Sequence, residues 1–516
     1  MSQALAILGT GSDVGKSLLS AGFCRLLFRE GIRVAPFKAQ NMSLNSGVTL
    51  DGGEMGRAQI LQAQACGLAP HVDMNPILLK PEADHRSQVI IHGKVWASQQ
   101  AREYFNHQAE LFELVKTSYA RLAKQYEVIM IEGAGSAAEL NLRDRDIVNW
   151  AVVEMADAAV VLVADIERGG VFAQVIGTLQ LLKPEERQRV IGVIINKFRG
   201  DKSLFQDGVG ILEERSQVPV LGVIPYLRHL ELDQEDSMEV ERFRFTPFGS
   251  EKINIAVVLL PHMSNFTDFN PLGAEPDVAM RYVAHPQELN GADVVVLPGS
   301  KTTIEDLGYL YRAGFGERIV NHARQGGEVV GICGGFQMLG REVMDPHGIE
   351  TGGEVKGMAL LDVTTKLVAE KKTIQVSAHP LQPEIPANYV VKGYEIHMGV
   401  TTGERIRPAF RIMPFLENFP PLSYRGGNPG PGHFEGARSE DGLVWGTYIH
   451  GVFDQPVYRR GWLNRVRRRK GLPPVEMEVS RSVSTKLVGA LDRWADHVGK
   501  HVNVSRIFSV LNKRPD

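Results

Sequence analysis

Short apolar runs punctuate the first 230 residues, and each gives way to a stretch with helix-compatible spacing. The runs are Ala4–Leu8, one near Val34, Val128–Ile131, Ala159–Ala164, Val190–Ile195 and Val218–Ile224. Strands that alternate with helices imply right-handed crossovers and a mostly parallel sheet. Residues 231–250 are polar and acidic with no core periodicity, which reads as a linker or surface excursion. Ile253–Leu260 restarts the pattern, and Asp293–Leu297, Glu328–Ile332 and Leu443–Tyr448 continue it. Leu487, Leu491, Trp494 and Val498 recur at i, i+4, i+7 and i+11, the stripe of an amphipathic helix. The pattern predicts an α/β domain over 1–235, a second α/β domain over 251–460, and a helical extension over 461–516. The extension is expected to pack on the second domain.

The first apolar run opens into Gly9-Thr-Gly-Ser-Asp-Val-Gly-Lys16-Ser17, and a helical stretch follows from Leu18 to Phe28. Strand, glycine loop and helix in that order make a phosphate-binding loop, whose N–H groups and helix dipole favour an anion. Gly9, Thr10, Gly11 and Gly15 form the cradle, Lys16 would reach the outer phosphates, and the Ser17 hydroxyl would sit on Mg2+. Thr10 occupies the place of the usual first glycine, with Gly9 one residue further back. This spacing resembles the dethiobiotin synthetase and MinD-like branch of P-loop proteins, which implies an ATP site.

Ligands of open α/β sheets bind outside the carboxyl ends of the strands. Val128–Ile131 ends in Glu132-Gly-Ala-Gly135, so Glu132 is the candidate to hold Mg2+ or its water shell. Ala159–Ala164 ends in Asp165, and Val190–Ile195 ends in Asn196, where many P-loop proteins touch the nucleotide base.

In the second half, Gly331-x-Cys333-x-Gly335 follows a strand directly. Small neighbours around one nucleophile are the pattern of a crowded strand-to-helix elbow. A helix N-terminus beneath a thiol favours the thiolate. His450, after the strand Leu443–Tyr448, is the candidate base. Cys24 and Cys66 read as core residues.

Composition narrows the choices. A chain of 516 residues exceeds one core, and a formal net charge of −3 argues against general nucleic-acid binding. No run of about 18 apolar residues occurs to span a membrane. The first apolar stretch enters the glycine loop rather than a cleavage site. With three cysteines and no disulfide framework, a cytoplasmic location is expected. Arg465–Lys470 reads as a solvated basic helix face. Residues 405–442, rich in Pro, Gly and Arg with Asn428-Pro-Gly-Pro-Gly432, read as a long ordered loop near the site.

The motifs Gly9–Ser17, Phe37–Ser46, Glu132–Gly135, Pro298–Ser300, Gly331–Gly335 and Tyr448–Asp454, in that order, resemble the cobyric acid synthase family. These are cobalamin-type glutamine amidotransferases. The resemblance implies ATP- and glutamine-dependent amidation of four carboxylates (b, d, e, g) of adenosylcobyrinic acid a,c-diamide, giving adenosylcobyric acid. ATP, Mg2+ and L-glutamine serve the reaction, and the corrinoid is substrate rather than cofactor. It further implies acyl-phosphate intermediates, Cys333 as nucleophile with His450 as base and then acid, and an oxyanion hole from backbone N–H groups near Gly299 and Gly334. Ammonia must then reach the first domain along a shielded path. Asp146 and Asp165 are the residues placed near the activated carboxylate. Type I amidotransferases usually carry a glutamate two residues after the histidine, but Val452 stands there, as in the cobalamin-type branch. Asp454 and Glu395 are open choices for orienting His450. The sister family that makes cobyrinic acid a,c-diamide is one alternative, disfavoured by Gln40-Asn41-Met42. A MinD-like ATPase switch is the other, disfavoured by Cys333 with His450.

Overall fold

The computed structural model describes every residue except 1, 84–85, 228–229, 231, 233–239, 241–242, 414–432, 477–482 and 512–516. Asn428–Gly432 and much of the 231–250 stretch lie outside the described residues.

The first sheet holds β1 (Gln3–Gly9), β2 (Val34–Phe37), β3 (Val128–Glu132), β4 (Ala159–Asp165), β5 (Val190–Phe198) and β6 (Val220–Pro225). Its spatial order is β6-β5-β4-β1-β3-β2, with every pair parallel. Helices cover both faces, so β1, β3 and β4 are buried almost throughout, and that is why they read as unbroken apolar runs.

Helix α1 (Lys16–Arg29) follows the glycine loop. Its sequence has no proline or β-branched residue, and Leu19, Phe23 and Leu27 bury completely on one stripe. Gly15 at φ +96° turns the chain into it, a conformation that a side chain resists. Gly31 at φ +78° ends it, with Ile32 N–H donating to Leu27 O at 3.1 Å.

Residues 38–100 depart from simple alternation. Gln40–Met42 pairs parallel with Ile77–Ala83, which continues antiparallel into Arg86–Ile91 and Lys94–Gln100. A two-stranded ribbon, Ser46–Val48 with Glu54–Gly56, projects from the same region.

The second domain has β7 (Ile253–Val258), β8 (Val278–Val283), β9 (Val294–Leu297), β10 (Glu328–Ile332), β11 (Thr364–Pro380), β12 (Val391–Thr402) and β13 (Val444–Thr447). Its central sheet runs β8-β7-β9-β10-β13 in parallel, with residues 437–438 antiparallel at the edge. The long hairpin β11–β12 forms a separate sheet that ends on Ile449–His450. This hairpin docks on the first domain's ribbon. Thr373 Oγ1 donates to Gly52 O (2.7 Å), Gln375 Nε2 to Val48 O (2.8 Å) and Tyr394 OH to Ser46 O (3.0 Å).

The C-terminal extension corrects the expectation from sequence. Helix α2 (Pro456–Arg469) does pack on the second domain, through Tyr458, Trp462, Leu463 and Val466. Helices α3 (Val483–His501) and α4 (Val504–Leu511) return to the first domain. The apolar stripe of α3 fits against α1: Trp494 Nε1 donates to Leu18 O at 2.6 Å, and Arg25 pairs with Asp492 at 2.8 Å. Gly22 makes that approach possible, since a Cβ there would stand 2.9 Å from Trp494 Nε1.

The basic run also differs from a solvated face. Arg465 and Arg469 both engage the buried Glu328, Arg467 meets Asp277 at 3.1 Å, and Lys470 meets Asp293 at 2.7 Å. Glu328 also accepts from the indoles of Trp445 (2.9 Å) and Trp462 (2.7 Å). The charges are paired with distant acids, and buried charges persist only when so paired.

Candidate active sites

The carboxyl ends of β1, β3 and β5 surround a cavity of about 680 Å³. Ser12, Asp13, Gly15, Lys16 and Ser17 line it from the glycine loop, and Lys38, Gln40, Asn41, Ser43 and Asn45 from the segment after β2. Pro225, Tyr226 and Trp494 close another side. Lys16 Nζ donates to Gly11 O and Gly135 O, both at 2.9 Å, so carbonyls occupy the place a phosphate oxygen would take. Gly9 and Thr10 lie behind the cavity, with Thr10 N–H donating to Val163 O at 2.9 Å. Asn196 donates from Nδ2 to Val14 O (2.9 Å) and thereby braces the loop that it shares the cavity with.

Glu132 is the centre of the charge arrangement. Its Oε1 accepts from Ser17 Oγ (2.7 Å) and Lys38 Nζ (2.9 Å), and its Oε2 from Gln59 (3.0 Å) and Gln62 (2.6 Å). Burial alone would raise its pKa, but the Lys38 ammonium and these donors hold it below the usual carboxylate range. A hydroxyl and an ionised carboxylate meeting at the outer-phosphate end of the loop form a hard oxygen donor set, which fits Mg2+. Lys38, Gln59 and Gln62 escaped the sequence reading, although Lys38 opens the polar stretch singled out there.

Two assignments are corrected. Asp146 Oδ1 accepts N–H bonds from Val148 and Asn149 (both 2.8 Å), and Oδ2 one from Trp150 (2.7 Å). It caps the helix Trp150–Met155 and does not line the cavity. Asp165 pairs with Lys197 at 3.1 Å and accepts from Glu167 N–H at 2.7 Å, behind the lining. Asp146 is taken up in holding backbone and Asp165 in holding Lys197 and one N–H, and neither is among the residues that line the cavity.

The second cavity, about 50 Å³, surrounds Cys333. Cys333 stands at φ 52° and ψ −110° between β10 and the helix Gly334–Leu339. Backbone held in so sparse a region costs about 1–3 kcal/mol and presents the side chain outward. The thiol donates to Ile396 O at 3.4 Å, and His450 lines the same cavity. His450 is fixed on three sides. Tyr394 stacks on it with centroids 5.4 Å apart, Ile449–His450 pairs with β12, and Asp268 Oδ2 lies 2.7 Å from its Nδ1. Burial works against a charged ring, but the Asp268 carboxylate, with Cys333 beside it, outweighs burial and pushes His450 up to about 10.

Asp268 therefore does what neither sequence candidate does. Glu395 pairs with Lys372 and His397, and Asp454 closes the turn after His450 through its N–H to Gly451 O (2.9 Å). Gly334 and Ser300 line the cavity; Gly299 sits one residue back, where a Cβ would come 3.5 Å from His450 Cε1.

The two cavities share a thin wall. Ser264 and Asn265 line the Cys333 cavity, while the next residue, Phe266, lines the larger one. Across the wall Asn265 Oδ1 accepts from Ser46 N–H at 3.2 Å, and Asn45 lines the larger cavity. The buried Asn45 side chain has neither Nδ2 nor Oδ1 hydrogen-bonded among the described residues.

None of the described helices is long and apolar enough to cross a membrane. Residues 5–240 match the CobQ/CobB/MinD/ParA nucleotide binding domain, and residues 254–458 the CobB/CobQ-like glutamine amidotransferase domain. Among solved structures, a glutamine amidotransferase aligns over 42% of this chain and 99% of its own, at 13% identity and a TM-score of 0.28, too low to carry an argument. Full-length relatives are far nearer. The cobyric acid synthase of Syntrophobacter fumaroxidans is 47% identical over 98% of each chain, and that of Citrobacter koseri 46% over 99% of each. The cobyric acid synthase of Geobacillus kaustophilus is 46% identical over 99% of each. With that identity held along essentially the whole length, the chain belongs to the cobyric acid synthase family, glutamine-hydrolysing amide ligases of cobalamin biosynthesis.

Proposed function

We propose that the chain amidates the b, d, e and g carboxylates of adenosylcobyrinic acid a,c-diamide, using ATP with Mg2+ and ammonia from L-glutamine. The observation that carries this reading is the wall between the cavities, where Ser264 and Asn265 face the cysteine and Phe266 faces the glycine loop.

In the small cavity the Cys333 thiolate attacks the glutamine side-chain amide. The developing oxyanion meets backbone N–H groups of Gly334 and the Gly299–Ser300 strand. Because Asp268 holds His450 protonated at neutral pH, the first proton movement is donation from His450 to the departing ammonia. Water then attacks the thioester, with His450 taking its proton. Ammonia crosses the wall beside Asn45.

In the large cavity a carboxylate is a poor acceptor until ATP converts it to an acyl phosphate, whose phosphate leaves readily. Ser17 and Glu132 would hold Mg2+, which supplies charge neutralisation for the transferred phosphoryl group. Lys16 moves from its two carbonyls to the outer phosphate oxygens. Cytoplasmic location fits this chemistry.

The test is mass spectrometry of adenosylcobyrinic acid a,c-diamide with ATP, Mg2+ and glutamine. Wild type should replace four OH groups by NH2, and Cys333→Ala should do so only when ammonia is supplied. An unchanged substrate with both nitrogen donors would overturn the reading.

A further inference from the structure

The Cys333 cavity contains a residue that the second domain does not supply. Lys80, on the first-domain strand Ile77–Ala83, lines it together with Lys301 and Lys371 of the second domain. These lysines are knit across the domain boundary. Lys80 Nζ donates to Ser46 Oγ (2.9 Å) and Glu54 Oε1 (2.8 Å). Lys371 Nζ donates to Glu54 Oε2 (2.6 Å) and Gln88 Oε1 (2.9 Å), and Lys301 Nζ to Glu82 Oε1 (2.9 Å).

An ammonium group has three donors. The bonds just given leave one donor on Lys80, one on Lys371 and two on Lys301 for a ligand in the cavity that all three line. Charge points the same way. Three ammonium groups face the Glu54 and Glu82 carboxylates. Glu350, which also lines the cavity, is pushed up to about 7 by burial, against the pull of Lys301. The three ammonium groups therefore face fewer than three full negative charges at neutral pH. Burial likewise lowers Lys371 to about 8, although Glu54 opposes it. A buried ammonium destabilised in this way gains from a further anion.

We propose that this lysine cluster holds the α-carboxylate of glutamine, so that the glutamine site is completed by Lys80 of the nucleotide-binding domain. The inference rests on the proposed glutaminase role of Cys333. Glu350 lies in the same lining to meet the α-ammonium. Side chains alternate along a strand, and here the alternation ties the two sites together. Lys80 faces the cysteine cavity, while the next residue, Pro81, lines the nucleotide cavity. The strand also pairs with Gln40–Met42, whose three residues line the nucleotide cavity.

The test compares hydrolysis of L-glutamine with that of L-glutamine α-amide, which lacks the carboxylate charge, and follows ammonia-supported amidation alongside. Wild type should prefer glutamine through KM by at least about tenfold, the weight of a charged hydrogen bond. Lys80→Met should raise the KM for glutamine by a similar factor, leave that for the α-amide little changed, and keep ammonia-supported amidation. Lys80→Arg should restore part of the preference. Equal handling of the two substrates by wild type would overturn the proposal whatever the variants do. So would a Lys80→Met enzyme with normal KM for glutamine, or one losing ammonia-supported amidation in equal measure, since that would mark Lys80 as purely structural. Failure of wild type to hydrolyse glutamine at all would instead remove the reading of Cys333.

Discussion

Asp268 Oδ2 lies 2.7 Å from Nδ1 of His450, and Asp268 Oδ1 accepts the N–H of the next residue, Gly451, at 3.0 Å. The carboxylate thus fixes both the ring and the backbone that carries it. It fills the orienting role although Val452 stands where a type I amidotransferase has its glutamate. Asp268→Asn keeps the shape but loses the charge that keeps His450 protonated. Glutamine-dependent amidation should fall by about 100-fold or more, the range seen when an acid–base group is disabled. Ammonia-dependent amidation should stay near wild type, and steady-state rates with each nitrogen donor check this. Equal loss with both donors would refute the role.

The same pair sets a pH dependence of stability. His450 is raised to about 10 in the folded protein, against about 6.5 in an unfolded chain. Between those values the folded state binds a proton that the unfolded state has released. Its stabilisation is fully present below about 6.5 and is lost as pH climbs toward 10. Thermal denaturation followed across that window should show a falling midpoint in wild type and a flatter profile in Asp268→Asn. Parallel profiles would contradict it.

Glu132→Gln separates the two chemistries. The variant leaves the Lys38 ammonium buried without its carboxylate, and breaking a buried pair in this way costs about 3–5 kcal/mol. Amidation should vanish with glutamine and with ammonia alike, while hydrolysis of glutamine at Cys333 persists. Calorimetry and a glutaminase assay check the two halves. Amidation that survives would remove Glu132 from the nucleotide site.

Trp494→Ala probes the return of the tail to the first domain. The indole is 4% exposed, donates to Leu18 O at 2.6 Å and lines the nucleotide cavity. Its removal should cost about 3–5 kcal/mol of unfolding free energy. It should also raise the KM for ATP and leave glutaminase kcat near wild type. Denaturant titration and initial rates provide the readings, and an unchanged KM for ATP would detach the tail from the site.

Much of this was legible because buried parallel strands are apolar on both faces. β1, β3, β4, β5, β7, β9, β10 and β13 each stand out as a run, and the residue after the run marks the site. That rule points to Glu132 and Cys333, and His450 stands two residues past its run; all three line the cavities. Asp268 escapes it, because it lies 182 residues before its partner and periodicity carries no long-range pairing. The only local trace is a carboxylate set between Phe266 and Phe269 soon after β7. The stripe of α3 was visible, but the surface it covers depends on Gly22 of α1, and the helical spacing does not name that partner. Arg465 and Arg467 were misread for the same reason, since Glu328 and Asp277 lie far away in sequence. Asp146 and Asp165 sit at the predicted strand and loop ends, where caps and ligands look alike until hydrogen bonds are seen.

Because α3 and α4 close over α1, the nucleotide-binding domain is sewn from the two ends of the described chain, with the glutaminase spliced between them. A chain stopped short of residue 483 would still contain the whole Cys333 cavity and yet lack Trp494 in the nucleotide cavity. The nucleotide cavity is thus the one that depends on a segment lying beyond the glutaminase in sequence.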